Sequence, residues 1–126
     1  MGLDVNRKEP AYLLGRLFAA LEKTQTDALG KVNATIRDRF YSAASATPGA
    51  VFPRLLRTYQ HHLAKMERGK VGREMLVREI HNPLKVYPGH LSLSDQGLFA
   101  IGYYHQMKDL WTSKQGNDQE KGGDEA

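Results

Sequence analysis

Apolar side chains recur along this chain at three- and four-residue steps, the spacing that gathers side chains on one face of an α-helix. Pro10 suits the first turn of a helix, because its missing N–H is not needed there. The pattern from Pro10 predicts a first helix that ends at about Leu29, before Gly30. A second helix is predicted from the apolar repeat every four residues that starts at Val32, and it ends at about Ala46.

The clearest two-sided pattern lies in a third predicted helix, from about Val51 to Arg68. Its apolar side consists of Phe52, Leu55, Leu56, Tyr59, Leu63 and Met66. Its other side carries a row of basic residues: Arg54, Arg57, His61, Lys65 and Arg68. The row contains no carboxylate, and at 1.5 Å per residue it spans about 21 Å.

Two further helices and a tail complete the predicted organisation. Lys70 to Ile80 is predicted as a short fourth helix. Ser92 followed by Asp95 resembles a capping box that opens a fifth helix ending near Trp111. Because apolar or aromatic residues occur all around the fifth helix, we expect it to be central in the bundle or buried between subunits. Residues 114–126 lack apolar anchors and are predicted to be a disordered tail.

The predicted fold class is therefore all-α, a compact bundle of about five helices in one domain, residues 1–113, followed by the tail. A chain of 126 residues can bury a core without a metal or a disulfide. It has no cysteine, which excludes thiolate zinc sites and thiol catalysis. No apolar stretch approaches the roughly 20 residues that span a bilayer, and no export or lipid signal is visible, so we expect a cytoplasmic protein without a membrane partner.

The five histidines do not form a recognisable site. His61 and His62 are adjacent and point about 100° apart on a helix, and His81, His90 and His105 follow at unrelated spacings. Metal-binding helices usually place ligands one turn apart on one face. His105 has no candidate nucleophile or carboxylate beside it, so we expect it to make a structural polar contact. We expect no catalytic residue, no metal and no cofactor.

The net charge of +4 is concentrated in residues 51–80, which hold seven basic residues against three glutamates. A row of like charges one turn apart destabilises a helix unless a polyanion relieves the repulsion. The sequence therefore predicts sequence-independent binding of nucleic-acid phosphates. The candidate contacts are Arg54, Arg57, His61, Lys65, Arg68, Lys70, Arg73 and Arg78, with Arg16, Lys23, Arg37 and Arg39 as more ambiguous ones. The alternative is a solvated helix face, which is common for Arg and Lys.

Four segments together resemble a known family. They are YLLGRL at residues 12–17, NATIRDR at 33–39, AASATP at 43–48 with FPRL at 52–55, and QGLFAIGYYHQ at 96–106. In this order they resemble the C-terminal region of the large subunit of type I-C CRISPR Cascade, an RNA-guided DNA surveillance complex. In that family the same segment is also made separately, by internal translation, as the small subunit. We expect this chain to be that small subunit, and an excised domain of the large subunit is the alternative.

The resemblance implies partners and a role in antiviral defense. The implied partners are the Cascade large subunit, the backbone subunits, further copies of the chain and crRNA-guided target DNA. The resemblance implies no catalytic residue, and recognition of the protospacer-adjacent motif belongs to the part of the large subunit that is missing here. The expected function is to stabilise the R-loop by phosphate contacts, mainly to the displaced, single-stranded non-target strand. The competing function is an assembly scaffold whose basic face meets protein or crRNA neighbours, with Tyr103, Tyr104 and Trp111 as interface residues.

Overall fold

The computed structural model describes residues 2–112 and confirms the all-α prediction. The chain forms five helices: α1 (Pro10–Leu29), α2 (Ile36–Ala46), α3 (Pro48–Lys65), α4 (Lys70–His81) and α5 (Leu93–Glu125). The described part of α5 ends at residue 112, so the tail predicted at 114–126 lies outside the described residues. In the described part of the chain no helix is both long and apolar enough to cross a membrane.

The central helix is α1, because every residue from 11 to 24 is buried. It contacts all four other helices, and its contact with α5 is the most extensive. The sequence predicts instead that the fifth helix is central in the bundle or buried between subunits. In the structure α5 buries one side, including Phe99 and Tyr103, and leaves Ile101 and Tyr104 exposed on the other. The central position of α1 was not predicted because it contains two basic residues, Arg16 and Lys23. Inside the fold Arg16 is hydrogen-bonded to Gln106 and Lys23 is paired with Asp27.

Two glycines allow α1 and α5 to touch through their backbones. A Cβ added at Gly15 would overlap the carbonyl oxygen of Phe99 and lie 2.8 Å from the amide nitrogen of Tyr103. A Cβ added at Gly102 would overlap the carbonyl oxygen of Tyr12. Glycine has no Cβ, so it permits this approach of one backbone to another.

The helix boundaries follow from their caps. Gly30, in the left-handed region at φ 74°, ends α1 at the predicted position. Instead of starting near Val32, α2 starts at Ile36, where the Asp38 carboxylate accepts the Thr35 N–H at 3.0 Å. The α3 helix starts at Pro48, three residues before the predicted start near Val51, and proline is common at the first position of a helix.

Candidate nucleic-acid interface

The α3 helix presents the two sides that its sequence pattern predicts. Phe52, Leu55, Tyr59 and Leu63 are buried. Arg54, Arg57, His61 and Lys65 are all exposed, and we call these four residues the α3 cation face. Arg57 and Lys65 make neither an ion pair nor a hydrogen bond among the described residues. The face therefore directs two full positive charges at solvent with no acceptor beside them.

In the structure, the row of basic residues on α3 is shorter than the sequence pattern predicts. Because α3 ends at Lys65, the helical row runs only from Arg54 to Lys65, about 16 Å, and Arg68 lies beyond it. Arg68 is exposed in the connection to α4, where Gly69 adopts φ 74°. The chain turns here because the Met66 N–H bonds to the Leu63 carbonyl and closes the helix. Arg68 can still contribute charge, but it does not continue the row.

One member of the α3 cation face and two basic residues of α4 have partial partners. The Arg54 guanidinium carbon lies 5.6 Å from the ring centroid of Phe40, on α2. The Lys70 ammonium donates to the Ala64 carbonyl at 3.3 Å, near the end of α3. Arg78 lies 4.0 Å from the Glu74 carboxylate, and both side chains are largely exposed. An exposed pair of this kind contributes little free energy, so it leaves Arg78 accessible.

Lys23 and Arg73 were predicted to contact nucleic acid, and this prediction is wrong. The Lys23 ammonium lies 2.5 Å from the Asp27 carboxylate, and its side chain is only 2% exposed. Arg73 donates to the same carboxylate at 2.8 Å and to the Thr24 hydroxyl at 2.9 Å. Burial acts to raise the pKa of Asp27, but the hydrogen bonds from Lys23 and Arg73 outweigh it and hold that pKa below its ordinary value. The cluster joins α1 to α4.

Arg16 is also internal, which corrects its assignment as a phosphate contact. It is 1% exposed, and its Nε donates to the Gln106 side-chain oxygen at 2.8 Å. Burial lowers the pKa of Arg16, although a guanidinium remains charged at neutral pH. A helical wheel shows Arg16 as basic but does not show that Gln106, 90 residues away in sequence, supplies its acceptor.

The two α2 candidates are exposed, and one of them has a contact that the sequence pattern does not reveal. Arg37 and Arg39 both lie on the outside of α2. Arg37 donates from Nη2 to the Tyr104 hydroxyl at 3.1 Å. Its guanidinium carbon lies 5.6 Å from the ring centroid of Tyr103 and 5.9 Å from that of Tyr104. Arg37 therefore joins α2 to α5 at the surface.

The predicted aromatic interface divides into one interior residue and two surface residues. Tyr103 is 2% exposed and its hydroxyl donates to the Glu22 carboxylate, so its assignment to an interface is wrong. Burial, followed by that hydrogen bond, raises the pKa of Tyr103 and keeps its phenol protonated. Tyr104 is 55% exposed and Trp111 is 50% exposed. The Lys23 ammonium lies 4.3 Å from the centroid of the Trp111 ring, so Trp111 already has a cation on its face.

Three of the five histidines hold structural positions. His105 makes the expected polar contact, with its Nδ1 3.0 Å from the Tyr12 hydroxyl. His81 Nε2 lies 2.6 Å from the Tyr87 hydroxyl. His62 is buried at the core boundary, and burial, reinforced by Lys65, lowers its pKa. Among the described residues there is no group of three or more His, Asp or Glu side chains placed to hold a metal.

Comparison with known proteins gives one family. The model described as "CRISPR-associated protein (Cas_Csd1)" matches residues 1–111, a span that includes α1 to α4 and most of the described part of α5. No curated protein matches the chain.

Proposed function

Since the chain belongs to the CRISPR-associated Cas_Csd1 family, and therefore has a role in a CRISPR system, we propose that it is the small subunit of type I-C Cascade. In this role it is non-catalytic and cytoplasmic. It packs beside the large subunit, the backbone subunits and further copies of itself, and it stabilises the R-loop. The α3 cation face binds strand phosphates without reading sequence, mainly on the displaced non-target strand.

The observation that carries this proposal is the difference between the α3 cation face and the other basic residues. Arg57 and Lys65 are exposed and have no ion pair among the described residues, whereas Lys23 and Arg73 share the Asp27 carboxylate. A row of uncompensated cations attracts a polyanion, and each phosphate contact releases counterions. Exchange of a DNA duplex for a guide heteroduplex is nearly balanced in free energy, so a few such contacts decide whether the R-loop persists.

The test reverses two charges on the face and compares them with two reversals elsewhere. The test variant is Arg57→Glu with Lys65→Glu. The matched control is Lys8→Glu with Lys85→Glu, which changes net charge equally at exposed sites outside α3; Lys8 precedes α1, and Lys85 lies between α4 and α5. We expect the test variant to lose about tenfold in affinity for single-stranded DNA and about 1.4 in the slope of log affinity against log salt.

Equal losses in the test and control variants would contradict the proposal, because they would show that only net charge matters. The same variants, assembled with crRNA and target DNA, are then assayed for R-loop formation. A nuclease assay with divalent metals, in which we expect no cleavage, tests the non-catalytic part of the proposal. Intact mass spectrometry of the complex from its native operon tests the small-subunit part, through a product near 14.2 kDa beside the large subunit.

The second candidate function is an assembly scaffold, and exposed apolar side chains favour it. Leu93 is 85% exposed, Val71 72% and Met75 62%, and Val71 and Met75 lie one turn apart on α4. Large apolar side chains on one face mark protein contacts when they are contiguous. The double variant Arg57→Glu with Lys65→Glu separates the two functions. A complex that incorporates the variant at normal stoichiometry but forms fewer R-loops supports DNA binding, and reduced incorporation supports the scaffold.

A further inference from the structure

Tyr104 combines high exposure with a fixed position. Its side chain is 55% exposed, yet its hydroxyl accepts a hydrogen bond from Arg37 Nη2 at 3.1 Å. Its ring meets the Tyr103 ring edge to face, with centroids 5.2 Å apart and an angle of 80°. The Arg37 guanidinium carbon lies 5.9 Å from the centroid of the Tyr104 ring, farther than the 4.3 Å that separates the Lys23 ammonium from the Trp111 centroid. An aromatic surface is thus held in place at the outside of the bundle.

The support beneath Tyr104 is itself rigid. Tyr103 is buried, its hydroxyl bonds to Glu22, and its ring contacts those of Phe18 and Tyr41 with centroids 5.9 and 5.3 Å away. A ligand that stacks on a ring already fixed in this way loses little side-chain entropy on binding. Trp111, the other exposed aromatic residue of this helix, differs because the Lys23 ammonium already lies against its ring.

A series of neighbouring side chains connects Tyr104 to the α3 cation face. Arg37 precedes Phe40 by three residues on α2, so the two lie on neighbouring turns of the same side. The Arg54 guanidinium lies over the Phe40 ring at 5.6 Å, and Arg54 is the first member of the α3 cation face. Aromatic rings and guanidinium groups therefore alternate from α5 across α2 to α3.

The charges along this series favour a polyanion. Arg37 makes no ion pair in the part of the chain that the structure describes, and its side-chain hydrogen bond goes to Tyr104. A guanidinium has five N–H donors, so several remain for a phosphate. The carboxylate on α2, that of Asp38, caps the helix by accepting the Thr35 N–H, and the Glu22 carboxylate, which also acts on Arg37, accepts the Tyr103 hydroxyl.

We infer that Tyr104 is a stacking platform for one base of a single-stranded nucleic acid, with Arg37 bound to an adjacent phosphate and the strand continuing over α2 to the α3 cation face. The inference rests on the proposed function and adds a contact to the base itself. Stacking on an aromatic side chain tolerates any base sequence, and each stacked base strengthens binding by about 5- to 150-fold.

The experiment measures binding of the full chain to two oligonucleotides of about 20 nucleotides, a length that fits a typical single-strand site. One is oligothymidylate and the other has the same phosphates but abasic sugars. We expect the unmodified chain to bind oligothymidylate about fivefold or more tightly than the abasic strand. Tyr104→Leu should remove this preference and leave affinity for the abasic strand unchanged. Tyr104→Phe keeps the ring and is the matched control, which should retain most of the preference.

The outcomes separate this inference from the proposed function. One outcome is that both strands bind in a salt-dependent way, that Arg57→Glu with Lys65→Glu weakens this binding, and that the chain shows no preference for the strand with bases. That outcome overturns the stacking site and leaves the proposed function standing. A preference that survives Tyr104→Leu also overturns it. Absence of binding to either strand overturns both. If Tyr104→Leu changes only incorporation into the complex, Tyr104 is a protein contact and the inference is wrong.

Discussion

The interior around α1 and the α3 cation face both carry basic side chains, and the two regions differ in what surrounds those side chains. In the interior, Lys23 and Arg73 share the Asp27 carboxylate, and Arg16 donates to the Gln106 side chain. On the α3 cation face, Arg57 and Lys65 have no acceptor among the described residues. The comparison teaches that a basic residue indicates a ligand only when the fold itself supplies no buried polar partner for it.

The two regions also differ in their relation to the family. Gly15 and Arg16 belong to the YLLGRL segment, and Gly102 and Gln106 belong to the QGLFAIGYYHQ segment. These residues form the contact of α1 with α5. The α3 cation face shares only Arg54 with the segments that carry the resemblance. The family match covers residues 1–111 and so includes both regions, and the function of the face has to be tested by itself.

The largest change in the free energy of unfolding is expected at Gly15, where the backbones of α1 and α5 are in contact. Gly15→Ala would drive a methyl group into the Phe99 carbonyl, and because the obstacle is backbone it cannot move aside as a side chain would. We expect a loss of about 3 kcal/mol or more in the free energy of unfolding, at or above the usual upper range for overpacking. Urea unfolding followed by circular dichroism measures this loss.

The control is the same substitution at a helical glycine in open surroundings. A Cβ at Gly72, in α4, would meet no atom within 4 Å. Gly72→Ala should stabilise the chain by about 0.5–1 kcal/mol, because alanine is the better helix former and the unfolded chain loses freedom. Similar effects of the two substitutions would show that α1 and α5 do not touch as described.

The next largest change in the free energy of unfolding is expected from removing the Asp27 carboxylate, the acceptor that Lys23 and Arg73 share in the interior. Asp27→Asn leaves Lys23, 2% exposed, and Arg73 without their carboxylate. Fully buried pairs lose roughly 3–5 kcal/mol when one partner is removed. We expect about 2 kcal/mol here, because Asp27 is itself 14% exposed. The measurement is again the free energy of unfolding in urea, at neutral pH.

This effect should depend on pH with a definite sign. Burial favours a higher pKa for Asp27, but the hydrogen bonds from Lys23 and Arg73 lower it below the ordinary value of 3.8. The carboxylate thus stabilises the fold fully above that ordinary value, and the contribution is lost as pH falls through the lower pKa of the folded chain. The difference between the unmodified chain and Asp27→Asn should shrink as the pH falls below the ordinary value of 3.8 and through the lower pKa of the folded chain. A constant difference would assign it to packing.

Much of this fold follows from local sequence patterns, because periodicity and caps are local. The bounds of α1, the start of α4 and the opening of α5 after Ser92 agree with prediction. The start of α2 does not, since the Thr35–Asp38 cap overrides the apolar repeat that began at Val32. Whether a basic residue lies in the interior depends on partners that are distant in sequence, such as Asp27 for Arg73. A helical wheel shows the residues of one helix only, so it does not reveal these partners.

The candidate site was predictable only in part for the same reason. The exposure of Arg54, Arg57, His61 and Lys65 follows from the two-sided pattern of α3. The end of α3 at Lys65 does not, because the bond from the Met66 N–H to the Leu63 carbonyl stops the helix before Gly69. The Arg37–Tyr104 contact joins residues 67 positions apart, so only the packing of α2 beside α5 reveals it.

The smallest change in the free energy of unfolding is expected from neutralising one charge on the α3 cation face. Arg57→Gln removes a cation that lies one turn from Arg54, and like charges at this spacing destabilise a helix by about 0.2–0.5 kcal/mol. We expect a gain in stability of about 0.3 kcal/mol at low salt that disappears at high salt, where screening acts. Urea unfolding at two salt concentrations measures it, with Asp27→Asn as the interior counterpart that also removes one charge. A loss of more than about 1 kcal/mol, outside the usual range for surface substitutions, would mean that Arg57 has a structural partner, as Arg73 does. The α3 cation face would then belong with the interior, and the proposal would lose the observation that carries it.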